Sequence, residues 1–205
     1  MSRTRLKLEK KGGIFHLRLS APPANPTDQL FFRDLEDLLP RLTKKEETRG
    51  LIIYGEKRHF SSGANIDDLL AGIRKNHFLQ PAPTLQRAAE LFDHLARLHY
   101  PTVAAIQGCC LGSGLELALT TRFRIGTKTS LFSLPETTFG LMPGCGGTLR
   151  FPRLVGQANA VRLILSGDHF GADEALRMGL ISAIVDKKEL ISVAERLIKT
   201  VSHRP

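Results

Sequence analysis

At 205 residues, with 42% hydrophobic side chains, the chain is long enough for a real core, and a domain of that size buries roughly 70% of its unfolded surface. Its apolar runs fall far short of the ~20 residues that span a bilayer, and the opening MSRTRLKLEKKGG carries no apolar stretch with a cleavage site behind it, so a soluble, cytoplasmic protein is expected. The net charge of +9 favours anionic partners; with two tyrosines, no tryptophan and no dense basic run, it argues for a solvated basic surface or a phosphate-bearing small ligand over nucleic acid.

The first strand signal is Phe15, Leu17 and Leu19 alternating with His16 and Arg18, the period of a half-buried strand, closed by Pro22 and Pro23. Thr27 is placed to cap a helix carrying Leu30, Phe31, Leu35, Leu38, Leu39 and Leu42, and residues 51–54 read as a buried strand. Residues 72–83, with basic side chains and two prolines, lack apolar periodicity and read as a mobile loop. Residues 85–99 read as a helix, 102–106 as a strand, and 108–114 as a glycine-rich turn into a helix from about Leu115. Further on, residues 130–134 suggest a strand, 158–165 and 172–178 helices, 180–185 a strand and 190–201 a last helix, with Gly179 capping the second of these helices. Strands alternating with helices give an α/β domain with a largely parallel sheet.

Two turns carry candidate chemistry. A helix start behind Gly112, Ser113 and Gly114 aims unpaired N–H groups beyond the end of a strand, and residues 59–65 (HFSSGAN) form a second turn of the same character. If the turns converge, the N–H groups of Ala64 and Ser113 face one developing oxyanion; spacing alone favours the simpler account of two tight connections. Asn65 can cap a following helix, with Asp67 and Asp68 in its first turn. Glu116, in the first turn of its helix, would be stabilised as an anion by the dipole; Glu136, after Pro135 and beside Thr137 and Phe139, is expected to be partly buried with a raised pKa. Two carboxylates in one apolar cleft can divide acid and base work, although a helix-start glutamate is also an ordinary feature. The PGCGGT of residues 143–148 is not a phosphate loop, because no lysine follows it, and the glycines of 108–114 lack the acidic residue of a dinucleotide fingerprint. Cys109, Cys110 and Cys145 lack metal-ligand spacing and read as free thiols; Cys145 is taken as a small buried side chain and His59 as a solvent-facing turn residue.

FSSGANIDDL at 60–69, AAIQGCCLGSGLELALTTRFRIG at 104–126 and FSLPETTFGLMPGCGGTLRFPRLVG at 132–156 resemble, in order and spacing, the crotonase superfamily, especially its enoyl-CoA hydratases. The resemblance implies the ClpP/crotonase-like fold, a right-handed spiral of ββα units, as one domain over 1–205 with a C-terminal helical region shorter than is usual in the family. It also implies an acyl-CoA thioester substrate, no cofactor beyond the coenzyme A that the substrate carries, no metal, a place in fatty acid metabolism, and assembly as a homotrimer or hexamer. By motif, the thioester oxygen falls to the N–H groups of Ala64 and Ser113, the CoA portion to Ala64, Asn65, Ile66 and Asp67, the water and proton work to Glu116 and Glu136, and a water-holding N–H to Gly144. Asn65 stands where aspartate is usual and Ser113 where glycine is usual. Other reactions of the superfamily (isomerisation, dehydration, decarboxylation), a carrier-protein thioester, and a non-catalytic or RNA-binding role are the alternatives.

Overall fold

The computed structural model describes residues 4–44, 48–65 and 83–202. Strands β1 (Leu6–Lys11) and β2 (Ile14–Leu19) form an antiparallel hairpin. From β2 the sheet continues in parallel through β3 (Gly50–Gly55), β4 (Thr102–Ile106), β6 (Phe123–Gly126) and β9 (Ala183–Ile184), in the order β1-β2-β3-β4-β6-β9. A smaller sheet, ordered β5-β7-β8, is built from β5 (Cys109–Leu111), β7 (Leu131–Ser133) and β8 (Phe170–Gly171). The chain thus passes from the large sheet to the small one twice, β4 to β5 and β6 to β7, with helix α3 (Ser113–Ala118) between the two passes.

Both faces of the large sheet are covered, and this changes the reading of β2. His16 is 4% exposed, so the strand is central rather than half-buried. Ile14, Ile52, Val103, Ala105 and Ile125 on one face pack against Leu190, Ala194 and Ile198 of the terminal helix α7 (Leu190–Ser202). Leu17, Leu51, Ile53, Ala104 and Ile106 belong to the main core, which also takes in the small sheet and helices α1 (Gln29–Leu42) and α2 (Pro83–Ala96). Continuous apolar runs such as 51–54 and 102–106 follow from this two-sided burial.

Several sequence expectations shift. Strand β1, in which Leu6 and Leu8 alternate with Lys7 and Glu9, was not among the expected elements. The cap of α1 is Asp28, not Thr27: its Oδ1 accepts from the Phe31 N–H at 2.9 Å and its Oδ2 takes the Arg5 guanidinium at 2.6 Å. A strand, β5, occupies the middle of the segment read as a turn, and the strand expected over 180–185 shrinks to two residues. Helix α4 (Gly147–Val155), interrupted in sequence by Pro152, was not anticipated; it precedes α5 (Gln157–Ser166) and α6 (Ala172–Arg177). The loop expected over 72–83 lies outside the described residues except for Pro83, which opens α2. None of the described helices is long and apolar enough to cross a membrane.

Asp28 joins a helix cap to a partly buried ion pair. Asp28→Ala is expected to lower stability by about 1–2 kcal/mol, read as a lower urea midpoint at unchanged slope, while Asp37→Ala on the same helix leaves the midpoint almost where it was.

Candidate active site

The two candidate turns are brought together by strand pairing. Residues 59–63 run parallel to β5: Ser61 N–H donates to the Cys109 carbonyl and Leu111 N–H to the Ser61 carbonyl, each at 3.0 Å. Gly63, at φ +86°, lies so close to β5 that a Cβ there would sit 2.6 Å from the Leu111 oxygen and 3.5 Å from the Gly112 Cα. Parallel segments in contact leave at the same end, so Ala64 and Ser113, each one residue past the touching glycines, share one side of the fold. Among the described residues neither amide donates to a backbone carbonyl. Thr27 ties the bends together: its N–H donates to the Gly63 carbonyl at 3.0 Å and its hydroxyl meets the Ser113 Oγ at 2.5 Å. Asn25, at φ +49°, supports the same turn by donating to the Glu56 and His59 carbonyls, and Ser61 Oγ donates back to the Asn25 carbonyl.

Glu116 is 1% exposed, one turn into α3. Its Oε1 accepts two N–H groups, from Cys145 at 2.8 Å and Gly147 at 2.7 Å. Burial raises its pKa; those two amides and the nearby Arg150 oppose the rise without cancelling it. The expected dipole stabilisation is therefore outweighed by desolvation. Glu136 sits in the 3-10 turn Pro135–Phe139 directly after β7. Its Oε1 would lie 2.9 Å from a Cβ on Gly112, and its buried Oε2 has no hydrogen-bond partner among the described residues. Burial first, and the charge of Glu116 second, push its pKa up to about 7. The charges of the two acids act on one another and both act on Cys145, which is buried near them, its thiol pKa raised by burial first and then by both acids, so the three side chains lie close together behind the paired bends.

Of the other expected residues, Gly144 directly precedes Cys145, whose amide holds Glu116, and a Cβ on it would meet the Leu85 side chain at 2.8 Å. Asn65 is exposed next to Ala64, while Ile66, Asp67 and Asp68 lie outside the described residues. His59 is not a free surface side chain: its Nδ1 accepts the Cys109 N–H at 3.0 Å and pins the turn to β5. Two functions escaped the sequence, the Cys145 and Gly147 amides that hold Glu116 and the Thr27 staple. The three-residue offset of Glu116 from Ser113 gave no hint of the first, and the capping character of Thr27 masked the second. A cleft of about 410 Å³ runs along residues 20–26, lined by Arg5, Lys7 and Lys57 among others.

A model of the enoyl-CoA hydratase/isomerase family matches residues 9–205. The chain belongs to the enoyl-CoA hydratase/isomerase family. Its fold superposes on DspI of Pseudomonas aeruginosa with a TM-score of 0.87 at 31% identity, covering 99% of this chain and 82% of that one. A putative enoyl-CoA hydratase of Streptomyces coelicolor A3(2) gives 0.89 at 28% identity, covering 100% and 76%, and an enoyl-CoA hydratase of Bacillus anthracis gives 0.87 at 26%, covering 98% and 77%. The α/β architecture of two sheets and intervening helices is that of the crotonase-fold hydratases.

Two measurements check this geometry. Thr27→Val removes the hydroxyl that meets Ser113 while keeping the backbone bond to Gly63, and is expected to cost about 1 kcal/mol in urea unfolding. Glu136, with a folded pKa above its unfolded value of 4.5, holds its proton in the folded state where the unfolded chain has lost it, so its contribution to stability is full below pH 4.5 and is lost as pH rises through about 7. Glu136→Gln is therefore expected to be more stable than the parent at pH 8 and to lose that advantage at pH 4, with unfolding midpoints at the two pH values as the readout.

Proposed function

We propose that this family member adds water across the 2,3 double bond of an enoyl-CoA thioester, or removes it in reverse, through an enolate held by the Ala64 and Ser113 amides. The observation that carries the reading is the pair of neighbouring carboxylates behind the joined bends, Glu116 buried and Glu136 half-buried with its Oε2 shut away from water, and the acyl recess is proposed there. Such a pair titrates as a unit, and the structure makes its members unequal. Glu116 accepts two fixed N–H groups, which favour its anion; Glu136, among the described residues, has only its own backbone N–H to favour its anion and carries the higher burden of repulsion, so the shared proton resides on Glu136.

The roles follow from that asymmetry. Glu116 as the anion accepts a proton from a water and directs its oxygen at the β carbon. Electron density moves through the double bond onto the thioester oxygen, where two amide donors stabilise the enolate more than the ground-state carbonyl. Glu136 then gives its proton to the α carbon, which returns the carbonyl. Gly144, beside the recess, is assigned the N–H that helps hold the water, and Leu85 against it an apolar wall for the acyl chain. The CoA portion is assigned to the surface of Ala64 and Asn65, with Arg5, Lys7 and Lys57 of the adjoining cleft facing its phosphates. No cofactor beyond CoA enters this chemistry.

Loss of the crotonyl-CoA absorbance band on hydration tests the reading. Glu116→Gln and Glu136→Gln are each expected to lower kcat by roughly 10²–10⁴-fold with far-UV circular dichroism unchanged. Because hydration needs the protonated Glu136, kcat/KM for hydration is expected to fall as pH rises through about 7. A chain that converts 3-enoyl-CoA to its 2-enoyl isomer but leaves crotonyl-CoA intact would instead make it an isomerase.

A further inference from the structure

The bend that holds Glu116 is fastened from its outer side as well. The Cys145 and Gly147 N–H groups belong to two peptide units that flank a third, and the carbonyl of that middle unit, the Cys145 carbonyl, accepts from an Nη of Arg150 at 2.7 Å. The guanidinium lies across the turn itself, since a Cβ on Gly146 would collide with the same nitrogen. Its other Nη pairs with Asp93, 57 residues away in sequence on α2. That helix meets the bend at a second point, Leu85, whose side chain a Cβ on Gly144 would approach to 2.8 Å.

A side chain in that position acts on Glu116 in two ways. It fixes the middle peptide unit, and with it the direction of the N–H groups on either side, because each unit is planar and only two dihedrals join it to the next. It also supplies charge. The titratable groups that act on Glu116 or are acted on by it are Glu136, Cys145 and Arg150, and of these Arg150 is the one that favours the Glu116 anion. The Arg150 side chain is 15% exposed and that of Asp93 54%. Water therefore screens the carboxylate of the pair more than the guanidinium, and the arginine's charge dominates at Glu116. A planar fork can serve a carbonyl with one nitrogen and a carboxylate with the other, which a single ammonium cannot do in the same geometry.

We propose that Arg150 is a positioning residue for Glu116, with Asp93 as its anchor: the guanidinium holds the middle of the 145–147 bend from outside and keeps the two inner amides on the carboxylate. As a part of catalysis this rests on the hydration reading, in which Glu116 must be an anion to take a proton from water. As a hold on Glu116 it stands without that reading.

The Glu116 carboxyl carbon, followed by carbon-13 NMR over a pH series in protein without substrate and assigned with Glu116→Gln, tests the hold directly. Arg150→Gln keeps a donor for the Cys145 carbonyl and loses the charge. It is expected to move the Glu116 titration to higher pH and to shift the Cys145 and Gly147 amide resonances. In the crotonyl-CoA assay it is expected to carry the acid limb of kcat/KM to higher pH and to lower kcat roughly tenfold to a hundredfold. Arg150→Lys keeps the charge without the fork, so the Glu116 titration stays near that of the parent while the two amides still shift and kcat falls. Asp93→Asn removes the opposing charge and leaves an oxygen acceptor; it is expected to move the Glu116 titration to lower pH, a reversal that general loosening would not produce. Circular dichroism checks the fold of each variant, and the lysine and asparagine variants carry the test if Arg150→Gln does not fold. A Glu116 titration and amide resonances that the Arg150 variants leave in place overturn the proposal, whatever the activity. Movement in the same direction for Arg150→Gln and Asp93→Asn overturns the role of charge. A parent that does not hydrate crotonyl-CoA, but whose Glu116 titration moves with Arg150, overturns the hydration reading and leaves the hold standing.

Discussion

A carboxylate 1% exposed inside an apolar core is tolerable only where something answers its charge, and the Cys145 and Gly147 amides answer that of Glu116. This requirement organises the surrounding chain. To deliver two N–H groups to one oxygen, residues 145–147 must bend tightly, and they do so with Gly146 at φ +98° directly before α4 begins. Gly147 must also lack a side chain, because a Cβ there would stand 3.0 Å from the same carboxylate oxygen. Arg150, one turn into α4, closes the bend from outside by donating to the Cys145 carbonyl. One buried acid thus fixes the entry of a helix, the shape of a loop and the direction of an arginine.

The two-sheet spiral supplies the other half of the recess. Each passage from the large sheet to the small one carries the chain past the same edge. The first passage ends at Gly112 and starts α3; the second ends at Pro135 and presents Glu136. Because β5 and β7 are hydrogen-bonded neighbours in parallel register, with Leu111 opposite Ser133, the residues that follow them emerge side by side. Gly112 N–H donates to the Ser133 carbonyl at 2.9 Å, which locks that exit. The terminal helix α7 is confined to the far face of the large sheet, where it packs against a separate set of side chains. The recess and that helix therefore stand on opposite sides of the sheet.

Much of this was legible in the sequence because it depends on local rules. The apolar runs at 51–54 and 102–106 and the helical spacing of Phe31, Leu35 and Leu42 located elements correctly, and the resemblance of three ordered motifs led to the family. What stayed hidden depends on contacts distant in the chain. Thr27 satisfied a capping rule one residue from the true cap, yet its hydroxyl is spent on Ser113, 86 residues away. The amides that hold Glu116 come from 29 and 31 residues further on, and a backbone donor leaves no mark in side-chain identity. His59 likewise looked like a turn histidine until the strand it pins was known.

Ser113 shows how a side chain is accommodated in this bend. A glycine is needed in such a bend only where φ is positive or space is lacking. Here the positive φ falls on Gly112, at +51°, and Ser113 is not among the residues beyond glycine with positive φ, so its backbone carries no strain for having a side chain. The extra hydroxyl is 8% exposed at the residue level and would be costly without a partner, but Thr27 meets it at 2.5 Å. Thr27 also holds the Gly63 carbonyl, so the side chain introduced at 113 adds a link between the two bends where a glycine would leave only backbone contacts. Ser113 keeps an unstrained path for its amide while its hydroxyl ties the frame around it, and Gly112 rather than residue 113 is the position where a side chain would both strain the turn and press on Glu136.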